Sequence, residues 1–214
     1  MHPALVAVLS VVGAWLFCFL VVMRIVRKAR PVPMAAFAVP VLDNPLRRLV
    51  QRPSRTLERM GIGRGMRVLE LGPGAGFFSV EAARRVGGTG ILCSVDIAPS
   101  LVARLKGKVA REGTGNWAAV VGDGQRLPFA DASFDHAFLV TVLGEIPDKE
   151  AALGELHRVL APGGVLSVCE MLPDPDYCLA STTIGLCRGA GFEVARRWGN
   201  FFVYTINFRR DGQC

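Results

Sequence analysis

The stretch Val68-Leu69-Glu70-Leu71-Gly72-Pro73-Gly74-Ala75-Gly76-Phe77-Phe78 decides how the rest of the chain is read. A short apolar run, Arg67–Leu71, has the length and composition of a buried strand. It carries one carboxylate, Glu70, and ends at a turn with glycines at alternate positions. Gly72, Gly74 and Gly76 permit tight turning and close backbone approach. A helical pattern follows near Phe78–Val86, and its N-terminus suits a negatively charged group.

Outward from this stretch, apolar runs alternate with helical patterns. Strands are expected at Gly90–Asp96, Trp117–Val121, Phe134–Val142 and Gly164–Glu170. Helices are expected near Ser100–Glu112, Lys149–Leu160 and Ala180–Ala190. Such alternation predicts an α/β fold with a doubly wound, mostly parallel sheet. Phe192–Trp198 and Phe201–Arg209 have no helix between them. They should close the seven-stranded sheet as an antiparallel hairpin around Gly199-Asn200.

In a sheet of this kind ligands bind at the carboxyl ends of the strands, near the switch in strand order. The glycine loop stands there. Dinucleotide binding requires G-x-G-x-x-G/A, whereas here the spacing is G-x-G-x-G and Phe77 comes next. Glu70 would repel a pyrophosphate but can accept a hydrogen bond from a cationic amino acid. Both features favour S-adenosylmethionine over NAD. Asp96, at the end of the second strand, suits ribose hydroxyls. Asp123, in Gly122-Asp123-Gly124-Gln125 after the third strand, can accept from an adenine amino group. An isolated Asp-Gly would otherwise be a turn.

Taken in order, Val68–Gly76, Val95-Asp96, Gly122–Phe129, Ser133-Phe134-Asp135 and Leu156–Gly164 resemble the class I S-adenosylmethionine-dependent methyltransferases. The closest flavour is that of the ubiquinone/menaquinone-biosynthesis type. The resemblance runs from about Leu57 to Arg209 and specifies cofactor and fold, not acceptor. It implies that Glu70, Gly72, Pro73, Gly74, Ala75 and Gly76 meet the methionine part, and that Asp96 holds the ribose. It further places Ile97 on the adenine, Asp123 with Gly124 at the adenine edge, and Val140 with Thr141 on the methionine side. Relative to that family, the segment Glu170 to Phe192 is short, so a substrate-covering insertion is largely missing.

Charge and hydropathy set the N-terminus apart. Pro3–Met23 has 21 residues without a charge; as a helix it would span about 31 Å, close to a bilayer's hydrocarbon core. Cations follow it rather than precede it, which disfavours a cleaved signal peptide. The expected organisation is a transmembrane helix at 3–23, a basic juxtamembrane linker with short helices at 24–56, and the catalytic domain at 57–214. Arg24–Arg67 holds eleven Lys/Arg against Asp43 and Glu58, while Val68–Cys214 carries a net −2. The positive-inside rule then puts the N-terminus outside and the domain in the cytoplasm as a single-pass membrane protein. Basic residues of the stretch 47–55 would meet anionic lipid headgroups. Cations gathered beside the membrane rather than round the pocket speak against a nucleic-acid partner, and no Cys/His cluster has metal-ligand spacing.

Methyl transfer to an activated cofactor's acceptor is largely a matter of positioning. Where the acceptor must lose a proton, Glu145 after the fourth strand is the best-placed base, with Tyr177 as a second candidate at the acceptor mouth. His136 and His157 read as structural, and Phe77 and Phe78 as packing residues. The expected activity is a membrane-anchored methyltransferase for a hydrophobic or lipid-borne acceptor: a phospholipid, quinone or thiol. The alternative is a non-catalytic membrane scaffold that keeps the fold.

Overall fold

The computed structural model describes residues 51–172 and 174–211, together with Ser10, Val11, Trp15, Cys18 and Val22, which are helical and exposed. The anchor expected at 3–23 otherwise lies outside the described residues, as does nearly all of the 24–56 linker. Among the described residues no helix is long and apolar enough to cross a membrane.

The elements run α1 (Pro53–Met60), β1 (Arg67–Leu71), α2 (Ser79–Val86), β2 (Ile91–Asp96), α3 (Pro99–Glu112), β3 (Trp117–Val121), β4 (Phe134–Val140), a short 3₁₀ turn (Leu143–Glu145), α4 (Lys149–Val159), β5 (Leu160–Met171), α5 (Ala180–Gly189), β6 (Phe192–Gly199) and β7 (Val203–Arg210). They build one seven-stranded sheet in the order β3-β2-β1-β4-β5-β7-β6. Strands β1 to β5 pair in parallel, and β7 joins antiparallel to both β5 and β6. This is the mostly parallel, Rossmann-like sheet that the sequence predicts.

Side-chain alternation along the central strands feeds two cores. Leu69, Ala137, Leu139, Leu166, Val168, Ile206 and Phe208 meet α4 and α5 on one face through Leu153, Leu156, Val159 and Cys187. Val68, Leu92, Phe138, Val140 and Cys169 meet α1, α2 and α3 on the other through Leu57, Met60, Ala82, Val86 and Leu105. Helix α1 is tied down by Asn207, whose Nδ2 donates to the carbonyls of Arg59 (3.0 Å) and Met60 (3.2 Å). Gln51 is buried too and donates to Cys169 Sγ at 3.6 Å. The packed body therefore includes residues ahead of Leu57.

His136 is a core residue, as expected. Its Nε2 lies 2.9 Å from Ser167 Oγ, which donates to Asn207 Oδ1 at 2.8 Å. Because the serine proton is spent on Asn207, the bond assigns the neutral Nε2–H tautomer to His136. Burial holds the imidazole pKa down at about 4, so it stays uncharged.

Strands β4 and β5 show how packing moves element ends away from expectation. Strand β4 stops at Val140 because Thr141 turns to φ +56. Strand β5 begins at Leu160 rather than Gly164: Leu160 pairs with Phe134 and Val165 with His136, with a bulge between. Gly163, at φ +72, supplies the left-handed residue of that bulge.

Candidate active site

The strand order reverses between β1 and β4, and a cavity opens there at their carboxyl ends, where ligands bind in such sheets. Its wall takes in Glu70–Ala75, Asp96 and Ile97, Asp123 and Gly124, and Val140 and Thr141. Every residue expected to touch the cofactor except Gly76 thus lines one pocket. Gly76 sits just behind it, under Leu105.

The loop is built so that only glycine serves. Gly72 adopts φ +69 and Gly76 φ +76. A Cβ on Gly72 would fall inside the contact distance of Val142 Cγ2, and one on Gly76 would lie 2.7 Å from Leu105 Cδ2. Lys108 of α3 reaches across to donate to the carbonyls of Ala75 (3.1 Å) and Gly76 (2.9 Å). Nothing in the sequence singled out Lys108; only the docking of α3 beside the loop reveals it.

Glu70 is 3% exposed. It sits opposite Ser94 in the β1–β2 register and accepts its hydroxyl proton at 2.6 Å. Trp117 Nε1 in turn donates to Ser94 Oγ at 2.9 Å. The Ser79 hydroxyl is close enough to stabilise the carboxylate without completing a hydrogen bond. Burial nevertheless dominates and pushes the Glu70 pKa up to about 7, against the pull of the two serines and Lys108.

Asp96 is aimed by backbone. Its Oδ2 accepts from Gly74 N at 3.3 Å and its Oδ1 from Ala98 N at 2.9 Å. Burial raises its pKa, and those two N–H groups oppose the shift. Asp123 is aimed by Gln125, which donates to Oδ1 through its backbone N–H (2.9 Å) and its side chain (3.1 Å). The loop beyond is clamped to α4. Arg158 donates to the carbonyls of Phe129 and Leu127, and Glu155 accepts from Leu127 N at 2.7 Å. Thr141, β-branched and left-handed, is a genuinely strained residue at the pocket floor. A structure that holds such a residue pins the local backbone.

The same wall includes the apolar side chains of Phe77, Val142, Ile146 and Pro147, together with Glu145. Phe78 lies in the core and stacks edge-on against Phe77, ring centres 5.0 Å apart. Tyr177 is not part of this wall. Its hydroxyl donates to the Phe201 carbonyl at 2.6 Å, and its ring lines a shallower cavity with Leu179, Ile184 and Arg197. The hydrogen bond that fixes it to the β6–β7 turn holds it away from the cofactor loop. His157 pairs with Asp211 at 2.9 Å and stacks on Phe192, a structural role.

The comparisons with known proteins bear on this geometry. Residues 69–168 match the family model described as a methyltransferase domain. This stretch is similar to a methyltransferase domain over a little under half of the chain. Among curated relatives, the ubiquinone/menaquinone biosynthesis C-methyltransferase UbiE of Haemophilus ducreyi is 38% identical over 116 residues, which is 54% of this chain and 45% of that protein. The demethylmenaquinone methyltransferase of Staphylococcus aureus is 36% identical over 115 residues, 54% of this chain and 46% of that protein. The chain spans about half the length of the curated relatives it matches. A methyltransferase structure from Aquifex aeolicus superposes with a TM-score of 0.77 at 24% identity, covering 83% of this chain and 99% of that one. At that identity the likeness establishes the fold.

The residues present fit the cofactor of this domain. Gly124 packs directly on Leu71, where a Cβ would come within 2.9 Å of Leu71 Cδ2. Two preoriented carboxylates and a buried glutamate face a slot with the polar pattern of a nucleoside joined to an amino acid.

Proposed function

We propose that the chain transfers a methyl group from S-adenosylmethionine to a hydrophobic, quinone-type acceptor while held at a membrane by its N-terminal segment. The observation that carries this reading is a single pocket lined both by Glu70, Asp96 and Asp123 and by the apolar side chains of Phe77, Val142, Ile146 and Pro147. Bound S-adenosylmethionine supplies a methyl group already activated for displacement. The chain's work is then orientation and exclusion of water.

Asp96 accepts from the ribose hydroxyls and Asp123 from the adenine amino group, each prealigned by its own hydrogen bonds. Glu70 receives the cationic amino-acid end. Glu145 lines the same pocket beside Ile146 and Pro147, and it takes the proton that a hydroxylated ring releases when its carbon is methylated. The relatives named for ubiquinone/menaquinone C-methylation and demethylmenaquinone methylation support a ring acceptor over a phospholipid or thiol. The uncharged run 3–23, whose described members are helical with Val11, Trp15 and Val22 exposed, supports the anchor. The cations after it support a cytoplasmic domain.

The test is methyl transfer from labelled S-adenosylmethionine to a membrane lipid extract supplemented with demethylated quinones. Label is expected in the quinone fraction, and Glu145→Gln should lower kcat at least tenfold without weakening cofactor binding. Label confined to phospholipid or thiol, or none at all, would refute the acceptor assignment.

A further inference from the structure

The β6–β7 turn exposes two aromatic rings that neither the core nor the pocket uses. Phe201 is 57% and Phe202 62% exposed. Leu179 beside them is exposed as well. Large apolar side chains shown together on a turn mark an interaction surface rather than random exposure.

The turn is rigid. Asn200 Oδ1 accepts from the backbone N–H groups of Phe202 (2.9 Å) and Val203 (3.2 Å), and Asn200 N donates to the Val203 carbonyl at 2.8 Å. Leu172 N donates to the Phe202 carbonyl at 2.7 Å, and Tyr177 holds the Phe201 carbonyl. Gly199 takes φ +93, where a Cβ would collide with the Val203 carbonyl. The two rings, edge-on at 5.7 Å, are therefore displayed by a framework that loses little freedom on binding.

Register shows which way the turn points. Met171, at the carboxyl end of β5, pairs with Val203; Val140, at the carboxyl end of β4, pairs with Cys169. The turn thus projects from the same sheet edge as the cofactor pocket, three strand spacings or roughly 15 Å from β1. Gln51 also lies at this edge, its side chain donating to Cys169 Sγ. Arg196 and Arg197, on β6 just before the turn, are both exposed. Arg197 lines the shallow cavity with Tyr177, Leu179 and Phe201, and Arg196 lies over the Trp198 ring at 5.0 Å. Of the carboxylates in the neighbouring loop, Asp174 is buried and Asp176 half-buried.

We infer that the Gly199–Phe202 turn, with Leu179 and the β6 residues Arg196 and Arg197, is a membrane-contact element that seats the catalytic edge on an anionic bilayer. Aromatic rings enter the headgroup boundary while guanidinium groups stay with the phosphates, the arrangement that interfacial segments use. The inference rests on the membrane reading above and deepens it. An anchor alone leaves the domain free to face any direction; a rigid aromatic turn beside the pocket fixes the pocket mouth at the depth where a lipid-soluble ring resides.

The test uses the full chain carrying Trp15→Phe, Trp198→Phe and Phe202→Trp, in vesicles of phosphatidylcholine with or without phosphatidylglycerol, with acyl chains brominated or plain. Position 202 lies outside the core, and the remaining tryptophan, Trp117, is buried and shielded from lipid. Bromination of the anionic vesicles should quench emission at least twofold, and Arg196→Ser with Arg197→Ser should remove most of that quenching. No quenching in a chain that still pellets with vesicles overturns the turn's role and leaves the anchor standing. No quenching and no pelleting overturns both. A concentration-dependent blue shift without lipid also overturns it, because a second copy of the chain then covers the turn.

Discussion

Replacing Glu70 by Gln gives the sharpest physical prediction. The carboxyl group has an ordinary pKa of 4.5 and is pushed up to about 7 by burial in the folded chain. A raised acid pKa means that the unfolded chain ionises first as pH rises. The folded state binds the extra proton, so stability falls with pH across the window from 4.5 to 7 and levels off above it. A shift of that size integrates to about 3 kcal/mol in full, of which about 2–3 kcal/mol accrues between pH 5 and 8. Glutamine keeps the oxygen that accepts from Ser94 and never ionises. Glu70→Gln should therefore gain on the wild type by that amount as pH is raised from 5 to 8. The assay is urea unfolding of both proteins without cofactor at stepped pH, the difference in unfolding free energy being the readout. Two stability curves that run parallel within about 0.5 kcal/mol would refute the claim that the site buries a destabilised carboxylate. The same variant should bind S-adenosylmethionine more weakly, since the instability of Glu70 is relieved by a cationic ligand.

Other residues give further tests. Gly72→Ala combines a left-handed φ of +69 with a collision against Val142; strain and overpacking together cost about 2–4 kcal/mol, so cofactor Kd from calorimetry should rise by more than tenfold. Lys108→Ala removes the donor to the Ala75 and Gly76 carbonyls and should raise that Kd several-fold while thermal unfolding changes little. His136 has its pKa lowered from 6.5 to about 4, so the folded chain loses stability as pH falls from 6.5 towards 4, by up to about 3 kcal/mol. His136→Gln should abolish that acid sensitivity at some cost at neutral pH, measured by chemical denaturation.

Much of this was legible because local patterns reported it directly. The strand–turn–helix grammar located β1, β2, β3 and the closing hairpin within a residue or two, since parallel strands buried on both faces read as short apolar runs. Glu70, Asp96 and Asp123 were found because each ends or follows such a run, and the sheet gathers those ends at one edge. The remainder depended on contacts that sequence spacing does not encode. Lys108 acts through the docking of α3, 32 residues after Gly76 in the chain. Thr141 looked like the last turn of a strand, and its left-handed backbone follows from tertiary packing. Ser94 and Trp117 could have been read as supports for Glu70, but only once the β1–β2 register was known. Tyr177 illustrates the opposite case: placed near the acceptor mouth by its position after β5, it is drawn to the β6–β7 turn by a hydrogen bond to Phe201.

The measurement that bears most directly on the account is calorimetric titration of S-adenosylmethionine into the purified chain and its Asp96→Ala variant. The account predicts one site, no comparable affinity for NAD, and at least a tenfold weakening in the variant, since a charge-assisted hydrogen bond contributes about 1.5–3 kcal/mol. An absence of binding, or equal affinity in the two proteins, would contradict it.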